Sequence, residues 1–568
     1  MRCINYTTYH LHTEGSQLDS CTNYKLYVDK AVELGQTAIC FTEHGNIYNW
    51  IEKKMYANSK GLKYLHGVEC YLTMSLGEKV RDNYHTILIA KNYEGVKEIN
   101  SLIDLSTRPD HMYYKPRITF DEFFAISDNV IKISACLASP ISKYPAFIKE
   151  YYGSKIKELN ELISNEDRKI EQCLSDESSI KRWIYNVEKA CEAQCCPTPW
   201  ENGEFDSADD AYIHDISQDK ISYQSQKSLY QSLLDECRNI FDKLLRTYDY
   251  YEIQPHEKSI EQIKYNQMLY EASKRYHKPL IAGTDTHSIN QYKAECRSIL
   301  QKAKHIEFSN EDDFDLTYKS YDELVEMFRQ QGSLPMDVIL EAIENTNVMA
   351  ASVEDFELDT SFKYPKLYEN EEQVFVDRIY RMYHEKLDKG IIQPNPKYEE
   401  NIQEELRVFK KIGMIGFMLF MSELVCWCWD NNIPVGYCRG SVGGSTIAYL
   451  TDITDVDPIV WNTVFSRFAN EDRKEIGDID LDIAPSQRQL VYDHIIQEFG
   501  ENFTAYVLAI GTISDKGTID EIGRALNIPL GTVKEIKELY SLYTDGIKDC
   551  TDKIKKIEQH DGYENNAD

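Results

Sequence analysis

Tyr9-His10-Leu11-His12-Thr13-Glu14-Gly15-Ser16-Gln17-Leu18-Asp19 is the stretch from which the fold is read. On a strand, alternate residues face one side, so His10 and His12 offer two imidazoles to one point and can share a metal or bridge two. The pattern recurs downstream. Glu43-His44-Gly45-Asn46 follows a strand predicted over 37–41, and Glu69 lies in Gly67-Val68-Glu69-Cys70. His85 precedes a strand predicted over 86–90, and Asp285-Thr286-His287 follows one predicted over 279–284. Each lies at a strand end, where an α/β barrel gathers its functional side chains. A single His-x-His is weak evidence, but five of 14 histidines paired with strand-end carboxylates read as a metal centre. Mixed imidazole and carboxylate ligands suit Zn²⁺, Mn²⁺ or Fe, and a cluster of them suits activation of water for phosphoester hydrolysis.

Around this stretch, residues 1–150 alternate β-rich runs with helical ones such as Asn23–Leu34, an α/β pattern. Residues 150–235 are charged and poor in apolar residues, and read as an insertion of solvated helices. From about 300 the chain reads as helical, with 337–353 and 398–429 the long candidates. A glycine-rich turn then leads into a helix at 436–450, and a carboxylate-rich strand is expected at 476–483. After about 530 the chain is rich in Lys, Glu and Asp and reads as a frayed end. With 568 residues, two to four domains are expected. The net charge of −31 argues against nonspecific coating of DNA, which depends on Lys and Arg displacing counterions from phosphates. No apolar run has signal-peptide or membrane-span length, so a cytoplasmic protein with no membrane partner is expected. The 15 cysteines, in a reducing compartment, read as buried thiols. Cys191, Cys195 and Cys196 have spacing too irregular for zinc and read as unpaired thiols.

A second constellation lies at Val435-Gly436-Tyr437-Cys438-Arg439-Gly440-Ser441-Val442-Gly443-Gly444-Ser445. Glycines such as Gly440 let backbone amides approach an anion, a helix start presents unpaired N–H groups, and Arg439, Ser441 and Ser445 add donors. This reads as a triphosphate cradle. In Gly477-Asp478-Ile479-Asp480-Leu481-Asp482-Ile483, acids and aliphatics alternate, so on a strand three carboxylates would share one face. Like charges so placed need cations between them, and two Mg²⁺ ions there would serve in-line phosphoryl transfer.

The first set of motifs resembles the polymerase and histidinol phosphatase (PHP) domain of bacterial-type (C-family) DNA polymerase III alpha subunits. The second, with Asp455-Val456-Asp457-Pro458 and Phe465-Ser466-Arg467-Phe468 between its parts, resembles the palm of the same family. The resemblance implies a distorted (β/α)7 barrel followed by a nucleotidyltransferase-type, polymerase beta-like α+β palm. It assigns residues 1–300 to the PHP domain, 301–530 to the palm with a helical lead-in, and 531–568 to the start of a thumb or a tail. It implies metal ligands at His10, His12, Asp19, His44, Glu69, His85, Cys136, Asp285 and His287, with Glu43 standing where the family has aspartate. Asp478 and Asp480 become metal-binding catalytic residues, with Asp482 outside them. Arg439, Gly440, Ser441, Ser445 and Arg467 become nucleotide contacts. Tyr437-Cys438 and Gly477 depart from the family's Pro-Gly and Pro. The implied activity is template-directed DNA synthesis, with 3′–5′ exonuclease or pyrophosphatase activity in the PHP domain. The implied partners are primed DNA, dNTPs and replisome subunits. No counterpart of the family's third catalytic aspartate is found, so a second polymerase chain carrying it and the fingers is expected. The alternative is a self-sufficient PHP phosphoesterase with a non-catalytic palm scaffold.

Overall fold

A computed structural model describes residues 5–77, 82–306, 314–360, 366–471, 478–507 and 509–544. The chain forms two units, one of residues 1–357 with 513–568 and one of residues 358–512.

The first unit holds β1 (Ala38–Phe41), β2 (Lys63–Thr73), β3 (Tyr84–Ala90), β4 (Arg117–Thr119), β5 (Val130–Ile133), β6 (Tyr251–Ile253) and β7 (Leu280–Ala282). Their pairings run in a circle. Thr8 bridges Ile39 of β1, β1 pairs with β2, β2 with β3, and β3 with β5. Ile133 then bridges Tyr250, β6 pairs with β7, and Thr286 bridges back to Leu11. β4 pairs with β2 outside the circle. β3 runs antiparallel to both neighbours, whereas the other links of the circle are parallel. Strands buried on both faces read as continuous apolar runs, as Ala38–Phe41 and Ile87–Ala90 do. Cys40, Leu65, Ile87, Ile89, Ile131, Ile133 and Ile281 make the core they enclose.

The charged segment at 150–235 forms the long helices Pro140–Leu174 and Ala208–Thr247, which pack along one another, with Glu177–Gln194 between them. Residues 301–357, expected to lead into the palm, instead pack on the first unit. Helix Met336–Ser352 turns Met349 and Ala350 into the strand core, and Tyr6 Oη donates to the Lys319 carbonyl at 2.7 Å. Helix Asp515–Ala525 likewise packs on Gln291–Ala303. Among the described residues every cysteine is free, and Cys195, Cys196 and Cys438 are exposed rather than buried.

In the second unit, the helix expected over 398–429 is two, Pro396–Ile412 and Ile415–Asp430, separated where Gly413 takes φ +74°. A residue without Cβ enters the left-handed region at little cost and ends a helix there. Ile415–Asp430 is apolar and largely buried. Among the described residues no single helix is long and apolar enough to cross a membrane. The helix expected at 436–450 is shorter, with a 3₁₀ turn at Ser441–Gly444 and a helix only at Thr446–Leu450. Gly444 lies so close to the chain that a Cβ would sit 2.5 Å from the Val464 carbonyl oxygen. The carboxylate strand expected at 476–483 is an extended segment with one bridge, Val435↔Ile483. Besides that bridge, Gly436 N donates to the Asp482 carbonyl at 2.9 Å, and three acids on one face resist tighter pairing. Gly477 of the quoted motifs, and residues 545–568, lie outside the described residues.

Candidate metal centre and nucleotidyl-transfer site

The circle of strands brings the candidate ligands to a common point, most of them from strand ends but Glu69 from the middle of β2 rather than from an end as expected. His10 and His12 are fully buried with ring centroids 5.3 Å apart, and their Nε2 atoms lie 3.1 and 3.4 Å from one oxygen of Asp285. His12 stacks on His44 at 4.1 Å and on His287 at 4.2 Å. Glu69, on β2, accepts from His85 Nδ1 at 2.8 Å, and its other oxygen lies 2.5 Å from His44 Nδ1. Asp19 lies 2.9 Å from His44 Nε2 and 3.3 Å from His287 Nε2. The Cys136 Sγ lies 3.7 Å from His85 Nδ1, at the edge of the cluster. All nine residues named from the sequence are thus connected. Three subsets, His12/His44/His287, His10/His12/Asp285 and His44/Glu69/His85, hold their donor atoms within 4.8 Å of one another.

Within this cluster His10 Nε2, His12 Nε2, His44 Nδ1, Glu69 Oε2 and Asp285 Oδ1 are buried and make no hydrogen bond of good geometry. Buried polar atoms are almost always satisfied, so five orphans converging on one place fit bound cations. Without a cation the histidines supply the positive charge. Burial disfavours a charged His44, yet Glu69 and Asp19 hold its ring at about 10. The reverse holds for His12, which burial, His44 and His287 push down to about 3. Burial and the carboxylates Asp285 and Glu69 raise the Cys136 thiol well above its ordinary value.

Residues outside the expected ligand set orient these ligands. Glu252, fully buried on β6, accepts from His10 Nδ1 at 2.7 Å, Tyr9 Oη at 2.8 Å and Gln254 Nε2 at 2.7 Å. With Nδ1 donating, His10 keeps the Nε2 lone pair for the centre. Its place exists because residue 283 is glycine, where a Cβ would fall 2.3 Å from the Glu252 carboxyl carbon. A parallel relay serves His12. Ser16 Oγ donates to Glu43 at 2.6 Å and therefore accepts from His12 Nδ1 at 3.0 Å. Glu43 is anchored by buried Lys53 at 2.6 Å. Burial alone would raise the Glu43 carboxyl, but Lys53 and His12 hold it at about 2. The longer Glu43 thus acts through Ser16 on the centre. Arg297 pairs with Asp19 from the opposite side.

In the second unit, Ile479, Leu481 and Ile483 pack on the core while Asp478, Asp480 and Asp482 are exposed, the alternation read from the sequence. Gly436 N donates to the Asp482 carbonyl at 2.9 Å, which aligns the glycine-rich loop with the acids. Arg439 Nη1 lies 2.9 Å from Asp482 and its Nε 3.6 Å from Asp480. A Cβ on Gly440, at φ +78°, would lie 3.4 Å from an Asp480 oxygen. Arg439, Gly440, Asp480 and Asp482 are therefore neighbours. Ser441 is half-buried and Arg467 exposed in the adjoining 3₁₀ turns. Ser445 departs from its expected role. It is fully buried and donates to Glu405 at 2.6 Å, and Glu405 also receives Thr446 N at 2.8 Å and Ile447 N at 3.0 Å. The helix start read as an anion cradle already holds an anion, a protein carboxylate. Burial lifts that carboxyl to about 7 against the pull of its donors.

Comparison with known proteins finds two family models along the chain. Residues 8–172 match the family model described as the PHP domain, and residues 373–567 match the Bacterial DNA polymerase III alpha NTPase domain. The DNA polymerase III subunit alpha of Aquifex aeolicus is 25% identical over 553 residues, covering 93% of this chain and 40% of that protein. That of Chlamydia pneumoniae is 25% identical over 576 residues, covering 93% and 41%. That of Borreliella burgdorferi is 25% identical over 556 residues, covering 95% and 40%. The chain spans about two fifths of the length of these relatives.

Proposed function

We propose that the first unit is a distorted (β/α)7 barrel that hydrolyses a 3′-terminal nucleotide or a related phosphoester, and that the second is the α+β palm of a replicative DNA polymerase. The observation that carries the first part is the set of five buried, unpartnered donor atoms converging from His10, His12, His44, Glu69 and Asp285. These residues, with Asp19, His85, His287 and Cys136, would hold two or three ions of Zn²⁺, Mn²⁺ or Fe. Such ions, when bound, make water a nucleophile near neutral pH and offset charge on phosphoryl oxygens. Glu252 and the Glu43–Ser16 pair keep the His10 and His12 rings turned inward, and the surrounding apolar core excludes bulk water. For the palm, Asp478 and Asp480 would hold Mg²⁺. Arg439, paired with Asp480 and Asp482, would exchange these acids for a dNTP triphosphate, with Gly440, Ser441 and Arg467 beside it. In this reading the third carboxylate and the fingers come from outside residues 1–568, on this or a second polypeptide. The substrates are primed DNA and dNTPs, and the setting is a cytoplasmic replisome.

One observation favours a second reading, a phosphoesterase with a scaffolding palm: Glu405 fills the helix start at Ser445–Ile447. The test is elemental analysis and hydrolysis of a 5′-labelled oligonucleotide by residues 1–568. Bound Zn, Mn or Fe and 3′-end hydrolysis, both lost in a His12→Ala, Asp285→Ala variant, are expected. Protein free of these metals, or metal content and hydrolysis that survive the double substitution, would overturn the first part. Primer extension on addition of a polypeptide with polymerase fingers, abolished by Asp480→Asn, separates a working palm from a scaffold.

A further inference from the structure

The hydrogen bonds behind His10 continue past Glu252. Glu252, Gln254 and His256 alternate along β6 and the chain that follows it, so their side chains fall on one side and bond in file. Gln254 Nε2 lies 2.7 Å from Glu252 Oε1, and Gln254 Oε1 lies 3.1 Å from His256 Nε2. Since Glu252 accepts, the NH₂ of Gln254 must face it and the amide oxygen must face His256. His256 Nε2 therefore carries the proton, and Nδ1 is left as a bare lone pair. That nitrogen is buried and makes no hydrogen bond. A buried polar atom without a partner is costly, and the protein nevertheless fixes this one firmly. The His256 ring stacks on Phe314 at 4.1 Å and 7°. Asn266 Nδ2 and Gln331 Nε2 each donate to the Gln254 carbonyl at 2.9 Å, and Gln331 Nε2 also to the His256 carbonyl at 3.1 Å, so buried amides hold the backbone beyond the end of β6. The place is beside the metal ligands. Asp285 and His10 are among the charges that act on the ring, and Leu316, two residues past Phe314, accepts from His287 N at 2.9 Å. Yet His256 belongs to none of the three donor triads. Burial pulls its ring down to about 4, which keeps it neutral at pH 7.

We propose that His256 is a catalytic residue of the first unit, whose Nδ1 accepts a hydrogen bond and then a proton from the water that attacks the phosphoryl group, with Gln254 the positioning residue that fixes its tautomer. The inference rests on the phosphoesterase reading above and adds a general base to it. A water that donates to Nδ1 turns its lone pairs away from the ring and toward phosphorus. As the water oxygen bonds to phosphorus, its proton passes to Nδ1, and the bond to the leaving oxygen breaks with the electron pair on that oxygen. The proton then leaves Nδ1 for solvent, from which the leaving oxygen takes one up. A neutral imidazole held in one tautomer, with its free nitrogen unpartnered, is suited to that task.

The test uses residues 1–568 loaded with Zn²⁺ and bis(4-nitrophenyl) phosphate as a simple phosphodiester. His256→Gln keeps a donor for the Gln254 oxygen but places nothing at Nδ1, whereas His256→Asn gives up that donor and returns an acceptor near the Nδ1 position. His256→Gln should keep the Zn²⁺ content, the melting temperature and KM of wild type while kcat falls by on the order of 100-fold, the scale of one general base. His256→Asn, which can orient a water but not take its proton, should retain a higher kcat than His256→Gln. In ¹⁵N-histidine-labelled wild type, the His256 signals should show the proton on Nε2 and Nδ1 bound to neither a proton nor Zn²⁺. A kcat of His256→Gln within about threefold of wild type would overturn the base while leaving the phosphoesterase reading intact. Should His256→Gln lose its Zn²⁺ or its fold, the wild-type spectrum decides, and a protonated or Zn²⁺-bound Nδ1 overturns the proposal. No hydrolysis by wild type would overturn the phosphoesterase reading and the base with it.

Discussion

Glu252→Gln tests whether the metal centre depends on residues that never touch the metal. The carboxylate accepts three hydrogen bonds, two on Oε1 from His10 and Gln254 and one on Oε2 from Tyr9. Glutamine can place its oxygen toward His10 and Gln254 and its NH₂ toward the Tyr9 hydroxyl, which can accept. All three partners stay satisfied, so the fold should lose only about 1 kcal/mol. The charge is what disappears. A carboxylate behind an imidazole raises its basicity as a ligand, and removing such a partner costs about 10- to 100-fold in metal affinity. That is about 1.4 to 2.7 kcal/mol of binding, close to the loss in the fold and separable from it by measuring both. The assay is chelator-competition titration of Zn²⁺ into the metal-free protein, alongside thermal melting in EDTA. Glu257→Gln, an exposed acid five residues on, is the control for charge alone. Gly283→Ala should reproduce the effect by displacing the Glu252 carboxylate. Zn²⁺ affinity of Glu252→Gln within twofold of wild type would refute the reasoning.

Lys53→Met leaves Glu43 buried without its cation and should cost about 3 to 5 kcal/mol in thermal or urea unfolding, most of it recovered in the Lys53→Met, Glu43→Gln double variant. The Glu43 carboxyl is held at about 2, below its ordinary 4.5. Its contribution, about 3 kcal/mol, is therefore fully present above pH 4.5 and lost as pH falls toward 2. Urea midpoints that show no such acid-limb difference between wild type and Glu43→Gln would contradict it. Glu405→Ala frees the N–H groups of Thr446 and Ile447 and should cost about 2 to 4 kcal/mol in the second unit, read by hydrogen exchange over 440–450. Unchanged protection there would refute the anchoring role. Asp480→Asn should lower primer extension by at least about 1,000-fold in the completed polymerase while leaving the melting temperature unchanged, and extension within tenfold of wild type would remove Asp480 from the reaction.

The candidate ligands were legible because strands impose a period of two and most of these residues lie at strand ends. His10-x-His12 and the acids Glu43, Glu69 and Asp285 were read from those rules. Asp19 and Cys136 sit on turns with no periodicity to betray them, and entered only through resemblance. Glu252 was missed because one acid in Tyr251-Glu252-Ile253 looks like any strand acid. A signal existed, since Gly283 follows the strand that pairs with it and leaves the space its carboxyl occupies. The contact of Ser445 with Glu405 was not legible for a related reason. A Gly/Ser loop before a helix looks the same in sequence whether its amides await a phosphate or hold a carboxylate, and Glu405 lies 40 residues earlier on a helix crowded with acids. The chain divides by packing after residue 357 rather than near 300, because a helical composition does not say which core the helices cover.

The net charge of −31 does not describe either site. In the first unit Asp19, Glu69, Asp285 and Glu252 surround imidazoles that carry compensating protons, with His10, His44 and His287 all raised above their ordinary values. In the second, Arg439 lies against Asp480 and Asp482 in the same capacity. Both sites are thus neutralised by groups that can leave: protons from the histidines, and an exposed guanidinium that can swing to a triphosphate. A cation entering the first site must displace protons, and one entering the second must displace an arginine. Each site is thereby held close to the geometry it needs without collapsing, since like carboxylates left unneutralised would separate.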